Sequence, residues 1–358
     1  MRRLSKIAVV AVVASLALTG CGKNDDKKGS SSGSNDVCKS AKGDGPKVGL
    51  AYDVGGRGDQ SFNDSAYAGL KKAVEDLKAT CVEGEASDGE AESAREDRLK
   101  NMADQGLNPI IGVGFAYSDA VNAVAPNYPK INFGVIDGFD PDDKPNANVA
   151  YLGFAENEGS YLVGVAAALK SKAGNIGFVG GVHNDLIKKF EAGYVAGAKS
   201  VKPGIKIQIK YIQESDLKGF GDPAGGKAAA TAEYDAGADV VYHAAGASGS
   251  GVFDASVDAG DGKWAIGVDS DQYLTASKTQ QPHILTSMLK RVDVATFNMI
   301  KSVADSSPLT SYQTYDLAHD GVGYSTSGGF VDDIKAQIDE AASKIKSGEV
   351  KVPVKPGA

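Results

Sequence analysis

Five short stretches of this chain place glycines, carboxylates, an amide and an ammonium directly after apolar runs. The first, Gly55-Gly56-Arg57-Gly58-Asp59-Gln60-Ser61-Phe62-Asn63-Asp64, follows Lys47–Asp53. Glycines let a backbone approach a bound group closely. Phe62 offers a flat apolar face, and the Asn63 amide donates and accepts together. The second, Gly114-Phe115-Ala116-Tyr117-Ser118-Asp119, and the third, Ala244-Ala245-Gly246-Ala247-Ser248-Gly249-Ser250-Gly251, also end apolar runs and open helices. Amides at a helix start suit phosphate, but no lysine follows as a phosphate loop requires, so space and amides for hydroxyls are the better reading. Gly267-Val268-Asp269-Ser270-Asp271 and Ser287-Met288-Leu289-Lys290-Arg291 complete the set. A carboxylate and an ammonium in one cleft can chelate a vicinal diol, Asp269 accepting and Lys290 donating.

Other chemistries find little support. His183, His243, His283 and His319 are scattered without ligand spacing, and there is no CxxC pair, so neither a metal nor a cofactor is expected. Gly112-x-Gly114 lacks the third glycine of a dinucleotide fingerprint, since position 117 is Tyr. No catalytic residue is expected, because nothing pairs an activated nucleophile with a base. A hydrolase using Asp59, Asp119 and Asp269 is the rival enzyme reading, and a surface interaction protein with an idle cleft is a third. The net charge of −8, without a basic cluster, argues against a nucleic-acid partner.

These turns need a scaffold. From Pro46 onward, short apolar runs alternate with helical patterns, which indicates parallel sheets covered on both faces. Strands are expected at 47–53, 109–114, 131–137, 149–152, 176–179, 205–212, 240–244, 264–268 and 284–288. Two successive sets of such units predict an α/β protein with two doubly wound parallel-sheet lobes. The final third completes both sheets, so the chain crosses about three times in a multi-strand hinge. The expected lobes are 46–152 plus about 271–308, and 153–270 plus about 309–352. Ligands of such sheets bind beyond strand carboxyl ends, here in the cleft between lobes.

The beginning of the chain is of another kind. Arg2, Arg3 and Lys6, the apolar run Ile7–Leu18 and then Leu18-Thr19-Gly20-Cys21 match a bacterial lipoprotein signal. Residues 1–20 are read as that signal, and Cys21 as the lipidated first residue of the mature chain. Residues 21–45 are too polar to bury apolar surface and read as a flexible tether. The expected location is the extracytoplasmic face of the cell membrane, held there by lipid. Two cysteines then remain in an oxidising compartment, so Cys38 and Cys81 are expected to form a disulfide.

The chain resembles the basic membrane protein family of purine-nucleoside-binding lipoproteins, over about Lys47 to Val352. The resemblance rests on Asp59-Gln60-Ser61-Phe62-Asn63, on Asn157-Glu158-Gly159-Ser160-Tyr161-Leu162-Val163-Gly164, on Phe190-Glu191-Ala192-Gly193-Tyr194 and on Gly267–Asp271. It implies a type I periplasmic-binding-protein fold, a purine nucleoside ligand, an ABC importer permease as partner, and a monomer. Phe62 and Phe190 would then sandwich the purine, with Asn63 and Asp119 on its edge. Asp269, Lys290 and the Gly246 amide would hold the ribose, and Asp59 belongs to the same binding turn. Gln60 stands where the family often has Lys, which leaves the preferred base open. A sugar or another small polar ligand is the nearest alternative.

Overall fold

Runs such as Val48–Tyr52 and Ile110–Val113 show no polar alternation, so a strand made of them must be covered on both faces. The computed structural model describes residues 37–357, and there those runs are buried. In chain order the elements are α1 (Val37–Ser40), β1 (Lys47–Tyr52), α2 (Phe62–Leu77), β2 (Thr80–Glu85), α3 (Glu92–Asp104), β3 (Ile110–Val113), α4 (Ser118–Val124), β4 (Phe133–Ile136) and β5 (Val149–Phe154). Then come α5 (Glu156–Lys170), β6 (Asn175–Val182), α6 (Asp185–Val201), β7 (Lys206–Gln213), α7 (Pro223–Asp235), β8 (Val240–Ala244), α8 (Gly249–Ala259) and β9 (Trp264–Asp269). The chain finishes with β10 (Ile284–Lys290), α9 (Val292–Ala304), β11 (Ser311–Tyr315), β12 (Val322–Tyr324) and α10 (Lys335–Lys346).

Two six-stranded sheets result, in the orders β11-β5-β4-β3-β1-β2 and β12-β10-β9-β8-β6-β7. All pairings are parallel except β10 with β12. One face of the first sheet packs on α2 and α9 through Leu70, Ala73, Ala295 and Met299. Its other face packs on α3 and α4 through Leu99, Met102 and Val121. In the second sheet, α5 and α6 cover one face and α7 and α8 the other. The helices α5 and α6 meet so closely that a Cβ on Gly193 would lie 2.0 Å from the Asn157 carbonyl oxygen. That contact accounts for a glycine inside Phe190-Glu191-Ala192-Gly193-Tyr194.

The chain passes between sheets after β5, after β10 and after β11, as the alternation predicts. The expected membership of the last third needs correction. The segment of about 271–308 is expected in the first lobe, yet only its α9 packs there, and β10 pairs with β9 in the second sheet. Likewise β11, expected with the second lobe, pairs with β5 in the first. The physical reason is burial. Ile284–Met288 is wholly buried and needs a place inside a sheet, whereas Ser-Tyr-Gln-Thr-Tyr tolerates a half-exposed edge. The pattern also misses β2, the opposite edge of that sheet and half-exposed too, and the three-residue β12, an edge of the second sheet.

The expected tether also ends earlier than residue 45, because Val37–Ser40 forms a helical turn. A Cys38–Cys81 disulfide joins that turn to β2. The signal and Cys21 lie outside the described residues. Among those described, no helix is long and apolar enough to cross a membrane. Opening the disulfide is expected to lower stability by at most ~4 kcal/mol on the loop-entropy account. Thiol labelling of the exported protein without reductant should find neither cysteine, and stoichiometric labelling of both would contradict the pairing.

Candidate functional site

The carboxyl ends of β1, β3 and β4 meet those of β8, β9 and β10 around a cavity. Of the residues singled out in the sequence, Asp59, Phe62, Asn63, Phe190, Gly246, Asp269 and Lys290 all line it. Asp119 does not. It sits on the first turn of α4 and is exposed, while Tyr117 and Ser118 beside it turn inward. One residue along a helix is about 100° of rotation, so the inward pair carries Asp119 away from the cavity. Phe115, Phe220, Asp53 and Asp137 line it instead. Both of those acids directly follow apolar strands, as Asp269 closes β9, and that shared placement is the sequence signal that could have found them.

The β1–α2 turn is built around its own carboxylate. Asp59 accepts the backbone N–H groups of Ser61 (2.9 Å), Asn63 (2.8 Å) and Asp64 (3.1 Å), groups a helix start leaves without partners. The Asn63 amide is committed locally as well. Its Oδ1 accepts the Asp53 N–H at 3.0 Å and its Nδ2 donates to Asp59 Oδ2 at 3.2 Å. Asn63 is therefore first a strut that fixes Asp53 and Asp59 relative to one another. Burial pushes Asp59 up to about 6 against these donors, and pushes Asp53 up to about 7. Asp53 crowds Gly114, whose φ is +102° and whose Cβ, if present, would lie 2.0 Å from Asp53 Oδ2. Gly114→Ala is thus expected to destabilise by about 1–3 kcal/mol from backbone strain alone. Displacing Asp53 should also weaken ligand binding, which melting curves and titration calorimetry would register together.

Lys290 lines the cavity and is 2% exposed. Its Nζ lies 2.6 Å from Asp137 Oδ2 and 3.5 Å from Glu156 Oε1. Three rings surround the ammonium: Phe154 at 5.0 Å, Phe62 at 5.1 Å and Phe190 at 5.4 Å from their centroids. Burial works against this charge, but Asp137, Glu156 and Asp269 outweigh it and hold the lysine protonated. Burial raises Asp137 in spite of Lys290. Its Oδ1 is buried without a hydrogen-bond partner.

Asp269 is not directly paired with Lys290, contrary to the simplest diol chelate. Its Oδ2 accepts the Ser61 hydroxyl at 2.7 Å, and its backbone holds φ at +64°. Burial raises it to about 6 while Lys290 and Ser61 oppose. Gly246 faces the cavity with φ +53°, beside the Phe220 carbonyl. Phe220 comes from the second half and meets Phe115 of the first edge-on, centroids 6.4 Å apart. Hydrogen-bond acceptors, one shielded cation and several aromatic faces suit a neutral, flat ligand bearing hydroxyls.

Comparison with known proteins agrees with this geometry. Residues 47–356 match the family described as ABC transporter substrate-binding protein PnrA-like. The chain is 35% identical to a CD4+ T-cell-stimulating antigen of Listeria innocua, covering 99% of each chain. It is 34% identical to the ABC transporter nucleoside-binding protein BmpA of Lactococcus lactis, again covering 99% of each. Among solved structures, an ABC transporter solute-binding protein of Aeropyrum pernix aligns with a TM-score of 0.75 and 27% identity, covering 87% of this chain and 94% of that one.

Proposed function

The chain belongs to the PnrA-like family of ABC transporter substrate-binding proteins, and from that membership we propose that it captures a purine nucleoside and delivers it unchanged to a membrane permease. The two sheets with their helices act as lobes that close on the ligand. One observation carries the ligand class: Phe62 and Phe190, from opposite halves, flank a mostly apolar cavity whose few polar groups are chiefly acceptors. Base stacking on each ring contributes ~1–3 kcal/mol. Asp53, Asp137 and Asp269 offer carboxylate oxygens to ribose and base donors, and the Gly246 backbone approaches the sugar. Lys290 is a donor already anchored by Asp137, so it adds direction to the site with little freedom to move.

Delivery without chemistry fits the same residues. Asp59 is saturated by N–H donors, and Lys290 is paired, so neither is poised as a nucleophile or a base. Hours of incubation with adenosine, guanosine or uridine should release no free base; release in proportion to protein would favour hydrolysis. Native mass spectrometry of freshly purified protein, followed by titration with a nucleoside and sugar panel, tests the ligand class. Tight binding of free sugars with none of nucleosides would overturn it. Lipid attachment at Cys21 on the extracytoplasmic face completes the proposal. Labelled palmitate should enter the wild-type protein, and Cys21→Ala should abolish it.

The raised carboxyl groups predict a pH dependence. A ligand hydroxyl donates to an ionised carboxylate, so protonating Asp53 or Asp269 competes with binding. Calorimetric affinity should rise as pH increases from about 5 to about 8, with protons released on binding. Stability of the ligand-free fold runs the other way. The folded state holds these protons more tightly than an unfolded carboxyl with pKa about 4, so stability falls as pH rises from about 4 to about 7.

A further inference from the structure

Ser61 and Ser270 do not line the ligand cavity, yet they join its two halves. Ser61 lies in the β1–α2 turn of the first half and is fully buried. Its hydroxyl is 2.7 Å from Asp269 Oδ2 and 3.2 Å from the Val268 carbonyl, more than 200 residues away in sequence. The return bond runs from the Ser270 hydroxyl to the Ser61 carbonyl, at 3.0 Å. Beside this crossing, Gln60 and Asp269, neither a glycine, both hold positive φ, at 54° and 64°. Such backbone persists where the surroundings over-determine it. The crossing is also a wall, because Asp269 lines the ligand cavity on one side and a separate groove with Gln60, Ser270 and Arg291 on the other.

We propose that Ser61, with Ser270, is a closure latch, a pair of positioning residues that ties the ligand's hold on Asp269 to the shut state of the cleft. One oxygen of Asp269 serves the latch, and the other remains for the ligand. A ligand that orients this carboxylate therefore presents it to Ser61, and latching in turn holds the carboxylate toward the ligand. Hydrogen bonds to a charged acceptor are the stronger kind, which makes Ser61 the principal member and Ser270 the lesser. The latch rests on the clamp reading of the two halves and not on which base is preferred.

The test compares wild type, Ser61→Ala, Ser61→Thr and Ser270→Ala, each carrying the native disulfide, with guanosine as the probe. Stopped-flow chase gives the dissociation rate, and small-angle scattering with and without guanosine reports closure. Ser61→Ala is expected to fold and bind but to release guanosine roughly tenfold faster or more, with weaker compaction. Ser61→Thr should restore both, and Ser270→Ala should show a smaller change in the same direction. Wild-type release and compaction in Ser61→Ala would overturn the latch while leaving the clamp intact. A wild type that binds guanosine without compacting would remove the motion that a latch needs, and overturn both together.

Discussion

Replacing Lys290 with Met should destabilise the protein by about 3–5 kcal/mol, the cost typical of removing one partner from a buried ion pair. The ammonium is 2% exposed and stands against Asp137, Glu156 and Asp269. Methionine has similar length and keeps the packing on Phe62, Phe154 and Phe190, so the loss is electrostatic. Without the cation, those carboxyls share a buried space and hold their protons to higher pH. The deficit of Lys290→Met relative to wild type should therefore shrink as the solution is acidified, because the folded variant then binds protons that its unfolded chain releases. Urea unfolding at several pH values measures this directly. Adding Asp137→Asn to Lys290→Met should recover part of the loss. A single variant as stable as wild type at neutral pH would show that the cluster does not depend on Lys290.

Asp269→Ala is expected to act on affinity more than on stability. It removes the acceptor for Ser61 and the acceptor proposed for the ribose hydroxyls, while Lys290 keeps Asp137 and Glu156 as partners. Hydrogen bonds to charged groups contribute ~1.5–3 kcal/mol each, so the variant should bind purine ribonucleosides roughly 10-fold to 150-fold more weakly. Discrimination provides the sharper readout. Wild type should strongly prefer ribonucleosides over 2′,3′-dideoxy analogues, since an acceptor built for a hydroxyl is left unpaired by a ligand without one. Asp269→Ala should lose most of that preference. Equal binding of both ligand types by wild type would remove the ribose from Asp269, and with it the ligand's hold on the latch.

The α/β class, the alternation of elements and the turns that line the cavity were legible in the residues themselves. Strands buried on both faces must be apolar throughout, and turns at their carboxyl ends must be glycine-rich and polar, so both leave marks in a single chain. Phe62, Gly246, Asp269 and Lys290 stand out by that rule, Phe190 only through the family resemblance, and Cys38 with Cys81 by elimination within an oxidising compartment. Edge strands leave fainter marks. The half-exposed β2 and β11 carry mixed residues that suit a loop equally well, and strand placement in the last third followed burial, which is a property of neighbours. Asp119 failed for a related reason, since one helical step separates an inward side chain from an outward one. Only the tertiary structure decided the pairings: Lys290 with Asp137 and Glu156, Asn63 as a strut, and Ser61 with Asp269 across more than 200 residues. A sequence states which groups stand at strand ends, but partners inside a closed cleft depend on distances of a few ångströms between segments far apart in the chain.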